Sequence, residues 1–143
     1  MLMIDDVVAF DRGGGQAGLG RIHGRKRIDP TEWFFAAHFL QDPVMPGSLG
    51  LEAFQQLLML AADERWPDAA RGLVAPVPGE RHEWTYRGQV LPTSHVVDVV
   101  VEITGVDEKR RLLTGAGVLL VDGLAIYEVK GFTVGTPAAG PRP

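Results

Sequence analysis

Residues 46–67 read Pro46-Gly-Ser-Leu-Gly-Leu-Glu-Ala-Phe-Gln-Gln-Leu-Leu-Met-Leu-Ala-Ala-Asp-Glu-Arg-Trp-Pro67. Proline followed by small or hydroxyl residues suits the first positions of a helix. From Leu49 to Trp66 there is no proline, Gly50 is the only glycine, and Pro67 stops the run. Leu49, Leu51, Ala53, Phe54, Leu57, Leu58, Met59, Leu60, Ala61 and Ala62 leave little of the circumference polar. Such a helix is buried on most sides, so the rest of the chain has to enclose it.

The flanking sequence is of the kind that can. Ile4 to Phe10 and Leu19 to Ile28 read as two strands separated by Gly13-Gly14-Gly15. After a Pro/Gly-rich connection, Gly72 to Gly79, the pattern is β to the end. Glu83 to Leu91 is closed by Pro92, and Val96 to Ile103 carries Val97, Val99, Val101 and Ile103 on one face. Leu112 to Val121 and Leu124 to Val134 flank Asp122-Gly123, a strong hairpin signal. Residues 29–46 hold three prolines and read as irregular. About six antiparallel strands and one apolar helix describe an α+β domain of hotdog type, a curled sheet wrapped around a central helix. Another single-helix, β-rich domain fits the pattern alone.

Composition narrows the functional classes. A chain of 143 residues is one domain, here expected over 1–136, with a Pro/Gly/Ala-rich tail or linker over 137–143. With no cysteine there is no disulfide, thiolate metal site or cysteine nucleophile, which fits a cytoplasmic protein. A net charge of −4 argues against nucleic acid as a partner. No apolar run is long enough to span a membrane, and Asp5 and Asp6 stand where a signal peptide is basic. His23, His38, His82 and His95 lack zinc-site spacing, and no GxGxxG fingerprint is present.

One segment gathers chemistry. His38 lies in an apolar stretch before a proline-stiffened turn, and the turn leads into the helix that carries Glu52. Taken singly, these are a core histidine and a carboxylate paired with a helix dipole. Together with the backbone N–H groups of Gly47 and Ser48 at the helix start, they form a base, an acid and an oxyanion donor within fifteen residues. That set suits proton transfer beside a carbonyl.

His38-Phe-Leu-Gln-Asp-Pro-Val-Met-Pro-Gly-Ser-Leu-Gly-Leu-Glu52 resembles the signature of the bacterial 3-hydroxyacyl-ACP dehydratases. The resemblance continues through Tyr86-Arg-Gly-Gln-Val-Leu-Pro-Thr93, Arg110-Arg111-Leu-Leu and Val121-Asp-Gly-Leu-Ala-Ile-Tyr127, and covers nearly all of the chain except the tail. In detail it is most similar to the dehydratase domains of polyunsaturated fatty acid and polyketide synthases. It implies a hotdog fold and loss of water from a 3-hydroxyacyl thioester. His38 matches the catalytic histidine, Glu52 the catalytic acid, Gln56 the glutamine that positions it, and Gly47 the donor to the thioester carbonyl. Phe39, Val44, Met45, Pro46 and Phe54 would wall the acyl channel.

The resemblance further implies a homodimer whose site is shared between protomers. It implies no metal or other resident cofactor, because the substrate arrives on the phosphopantetheine of an acyl carrier protein. Lys109, Arg110 and Arg111 match a basic patch that meets the carrier; Arg21, Arg25, Lys26 and Arg27 form a second basic cluster. The family's isomerising branch carries Asp where this chain has Glu52, which speaks against isomerisation. A start at Met-Leu-Met-Ile and a linker-like tail point to a domain of a larger synthase. Two rival readings are a non-catalytic hotdog unit, which binds carrier or pairs with an active unit, and a hotdog acyl thioesterase.

Overall fold

A computed structural model describes residues 2–68 and 74–135 of the chain. The elements run β1 (Asp6–Asp11), β2 (Arg21–Arg27), α1 (Trp33–Ala37), α2 (Gly47–Arg65), β3 (Ala75–Pro76), β4 (Glu83–Tyr86), β5 (Val96–Asp107), β6 (Leu112–Val121) and β7 (Leu124–Gly135). All strand pairs are antiparallel. The sheet order is β1-β2-β5-β6-β7-β3, with β4 also on β7. This is the curled sheet around one long helix, a hotdog fold. The tail beyond 136 and part of the Gly72–Gly79 connection lie outside the described residues.

The helix is 19 residues long, about 28 Å. Its buried side chains, Leu49, Ala53, Phe54, Leu57, Leu58, Ala61 and Ala62, press into the concave face of the sheet. That face has glycines where the helix comes closest. A Cβ at Gly24 would lie 2.8 Å from Leu57, one at Gly115 2.7 Å from Leu58, and one at Gly117 2.9 Å from Phe54. Val97, Val99, Val101 and Ile103 share the inner face, as the alternation predicts. Register shifts at Val7/Ala9, Ile103/Gly105, Gly115/Gly117 and Leu119/Leu120 are bulges that increase local twist and help the sheet curl. Asp122 and Gly123, both at positive φ, make the expected tight hairpin turn.

Three expectations are corrected. The irregular segment contains α1, five residues anchored by buried Phe34 and Phe35 and too short to show a period. Strand β4 ends at Tyr86 rather than Leu91, because the chain leaves the sheet there and the Val90 carbonyl accepts from the Met45 N–H at 3.0 Å. A seventh strand, β3, pairs two residues of the proline-rich connection with Val134 and Gly135. Among the described residues, no helix is long and apolar enough to cross a membrane.

Candidate active site

His38 caps the C-terminal end of α1, where its N–H bonds to the Phe34 carbonyl at 3.0 Å. The short loop after it is tied closed. The Val44 N–H donates to the His38 carbonyl at 2.9 Å, and the His38 ring nitrogen Nδ1 lies 3.1 Å from the Val44 carbonyl. A carbonyl can only accept, so Nδ1 carries a proton, and in the neutral ring Nε2 is left with the lone pair. The half-buried imidazole is therefore held in one orientation. Val44, read from sequence as a channel wall, is buried and orients the histidine through its backbone.

Glu52 is half-buried in the second turn of α2. Gln56, four residues on and on the same face, donates from Nε2 to Glu52 Oε1 at 2.9 Å. The Gln56 carbonyl oxygen in turn accepts from the Met3 N–H at 2.8 Å. The backbone donor fixes which end of the amide faces Met3, so the NH2 group has to face the carboxylate. The sequence reading found Gln56 but not Met3, which contributes only a main-chain N–H.

Gly47 is the first residue of α2. Pro46 precedes it with no side-chain cap, and the first turn holds no acidic residue. The Leu49 N–H donates to the Pro46 carbonyl at 3.0 Å, while the N–H groups of Gly47 and Ser48 have no intrahelical acceptor. Beside them lies an aromatic group. A Cβ on Gly47 would come within 2.9 Å of the Trp84 ring and 3.6 Å of the Tyr127 hydroxyl. Trp84, Tyr86 and Tyr127 contact one another, with ring centroids 4.8–6.0 Å apart.

The remaining predicted residues are dispersed. Met45 and Phe54 are core residues, Pro46 is half-buried, and Phe39 is 60% exposed. No hydrogen bond, ion pair or ring contact among the described residues joins His38 to Glu52 or Gln56. The basic run sits at the other end of α2. Arg111 pairs with Asp68 at 2.9 Å, and Glu108 holds Arg65 and the Trp66 indole. No ion pair among the described residues involves Lys109 or Arg110. The second basic cluster is largely neutralised: Arg25 bonds Asp98, Arg27 pairs with Asp6, and Lys26 is buried against Glu32 at 3.0 Å. The described residues contain no group of three or more His, Asp and Glu placed to hold a metal ion.

Comparison with known proteins follows the same lines. Residues 1–130 match the model of the FabA-like domain. The chain is 38% identical over 144 residues to a subunit of the polyunsaturated fatty acid synthase of Thraustochytrium sp. (strain ATCC 26185 / S-3), aligning 94% of this chain with 10% of that protein's length. The chain thus spans about a tenth of this curated relative. Among solved structures, the dehydratase heterocomplex ApeI:P of Xenorhabdus doucetiae matches with a TM-score of 0.68 at 12% identity, covering 96% of this chain and 84% of that one. A putative thioesterase from Lactococcus lactis matches with a TM-score of 0.65 at 9% identity, covering 94% of each chain. At these identities both likenesses concern the fold.

Proposed function

The chain belongs to the FabA-like domain family, and from that premise we propose that it is a dehydratase removing water from 3-hydroxyacyl thioesters to give trans-2-enoyl thioesters. The observation that carries this reading is the pair of oriented groups: His38 with a free Nε2, and Glu52 held by Gln56. His38 takes a proton from C2 of the acyl chain, and the electrons of that C–H bond form the C2=C3 double bond. The C3–O bond breaks, and Glu52 delivers a proton so that the hydroxyl leaves as water. The N–H at Gly47 stabilises the charge that grows on the thioester oxygen. Exchange of protons with solvent restores both side chains. The step is redox-neutral, so electron bookkeeping asks nothing of a resident cofactor.

The site is completed by a second copy of the chain, His38 coming from one protomer and Glu52 from the other. Among the described residues no hydrogen bond or ion pair joins the two within one chain, which supports this. So does β4, an edge strand with all four residues exposed, Trp84 and Tyr86 among them. An acidic acyl carrier protein brings the substrate on its phosphopantetheine arm, and Lys109 and Arg110, without an ion pair among the described residues, are cations for it to meet.

The test offers 3-hydroxyacyl thioesters of increasing length and follows the product by mass. We expect loss of water with wild-type protein and none with His38→Ala. Release of free thiol instead would make the chain a thioesterase. Binding of carrier without turnover at any length would make it a silent hotdog unit.

A further inference from the structure

Tyr127 is 2% exposed, yet its hydroxyl makes no hydrogen bond among the described residues. A buried unpartnered hydroxyl costs roughly 1–3 kcal/mol, and phenylalanine would fill the same space without that cost. The ring lies along α2 on the face of Gly47 and Gly50, and side chains at those two positions would meet it. Its hydroxyl therefore sits beside the uncapped start of the helix, where the free N–H groups are. Burial first, and then the charge and the nearby hydroxyl of Tyr86, push its pKa above the ordinary phenol value; the Tyr86 hydroxyl is close enough to be felt but does not reach hydrogen-bond geometry. A pKa raised above that of an ordinary phenol keeps the group O–H at neutral pH, so it is available as a donor. The Trp84 indole lies across Gly47 and touches Tyr127. It stands on strand β4 and is the side chain nearest to Gly47.

We propose that the Tyr127 hydroxyl is a second hydrogen-bond donor to the thioester carbonyl, acting beside the N–H groups at the start of α2 once the thioester displaces the Trp84 ring. This rests on the reading of the site as a thioester site. It adds a side-chain donor to the backbone one, and it gives a reason for a tyrosine where the packing asks only for a ring.

The variant is Tyr127→Phe, which removes one oxygen and keeps the shape. Two readouts are taken. The first is turnover of a 3-hydroxyacyl pantetheine thioester, with thermal unfolding alongside. The second is the infrared carbonyl band of a saturated acyl pantetheine thioester, 13C-labelled at the carbonyl and bound at saturating concentration; it has no hydroxyl to lose. We expect an unfolding midpoint unchanged or raised, because no bond is lost. Turnover should fall about 100-fold in kcat, the lower end of what removal of one oxyanion donor costs, with KM little changed. The bound carbonyl band, lowered in frequency on the wild type, should move back towards its free position in the variant. A band at the same frequency in both proteins overturns the proposal, even if turnover falls, since the phenol then acts only through packing. Wild-type protein that lowers the band through Tyr127 but releases no water keeps the donor and removes the dehydratase reading. A wild type that dehydrates while the band ignores Tyr127 does the reverse.

Discussion

At Gly50 two opposing effects can be weighed by size. Alanine in a helix is favoured over glycine by about 1 kcal/mol, so Gly50→Ala would stabilise an exposed helix. Here the new methyl group would overlap the Tyr127 ring, which is buried beside the helix and contacts Trp84 and Tyr86 of β4. Overpacking a closed core costs roughly 1–3 kcal/mol. We expect the overlap to outweigh propensity, with a net loss of about 1–2 kcal/mol. Urea unfolding of Gly50→Ala checks the sign, and Gly50→Ala with Tyr127→Leu should regain part of the loss. Equal or greater stability of the single variant would show that the ring yields. Lys26 makes a complementary point. In sequence it belongs to a solvated basic run, but the alternation of β2 turns it inward, onto Glu32. A charge cluster in a strand splits between the two faces of the sheet, and counting charges does not show which members are buried.

The elements differ in how far local sequence determined them. Helix α2 was legible because its apolar density and its proline stops are local. The β6–β7 hairpin was legible because Asp122-Gly123 demands positive φ. His38 and Glu52 stood out as candidates because they fall within one short segment around the helix start, whereas Gln56 entered only through the family resemblance. Tyr127 was not. Its strand alternates, but the register shift between Leu119 and Leu120 leaves Ile126 as an extra residue, so Ile126 and Tyr127 are both buried. A bulge breaks the period on which the strand reading depends. The glycines at 24, 115 and 117 were also opaque, since their cause is a helix distant in sequence.

Pairing between β2 and β5 supports a pH prediction. Asp98 lies between Arg25 and His23, with His23 Nε2 at 2.6 Å and Arg25 Nε at 2.8 Å. Burial raises its pKa, but the hydrogen bonds from Arg25 and His23 outweigh that and hold it below the usual carboxylate value. A lowered folded-state pKa means stability that is fully present above the unfolded value, about 3.9, and is lost as pH falls through the folded one. Asp98→Asn should therefore be less stable than wild type at neutral pH, with the difference shrinking as pH falls below about 4. Unfolding midpoints taken from pH 7 down to 2.5 test this; a difference constant across that range would remove Asp98 from the acid response.

For the whole molecule, the question is whether one chain can hold a complete site. The sheet curls over one side of α2 and buries the face bearing Ala53, Phe54, Leu57 and Leu58. Glu52 and Gln56 remain half-buried on another face, and His38 stands at the end of α1, with no hydrogen bond among the described residues joining it to Glu52. If each site takes its histidine from one protomer and its carboxylate from the other, variants in the two residues complement each other. His38→Ala and Glu52→Gln should each be inactive alone. Unfolded together in equal amounts and refolded, they sort into two kinds of like dimer and one kind of mixed dimer. Mixed dimers make up half of the total, and each has one site with both residues intact and one with neither. Activity should thus return to roughly a quarter of wild type for a two-fold dimer with two sites. A site contained within one chain yields no recovery, because every chain then lacks one group. Tagging the two variants differently and isolating doubly tagged dimers separates failure to mix from failure to complement. Doubly tagged dimers without activity would place His38 and Glu52 in the same protomer's site.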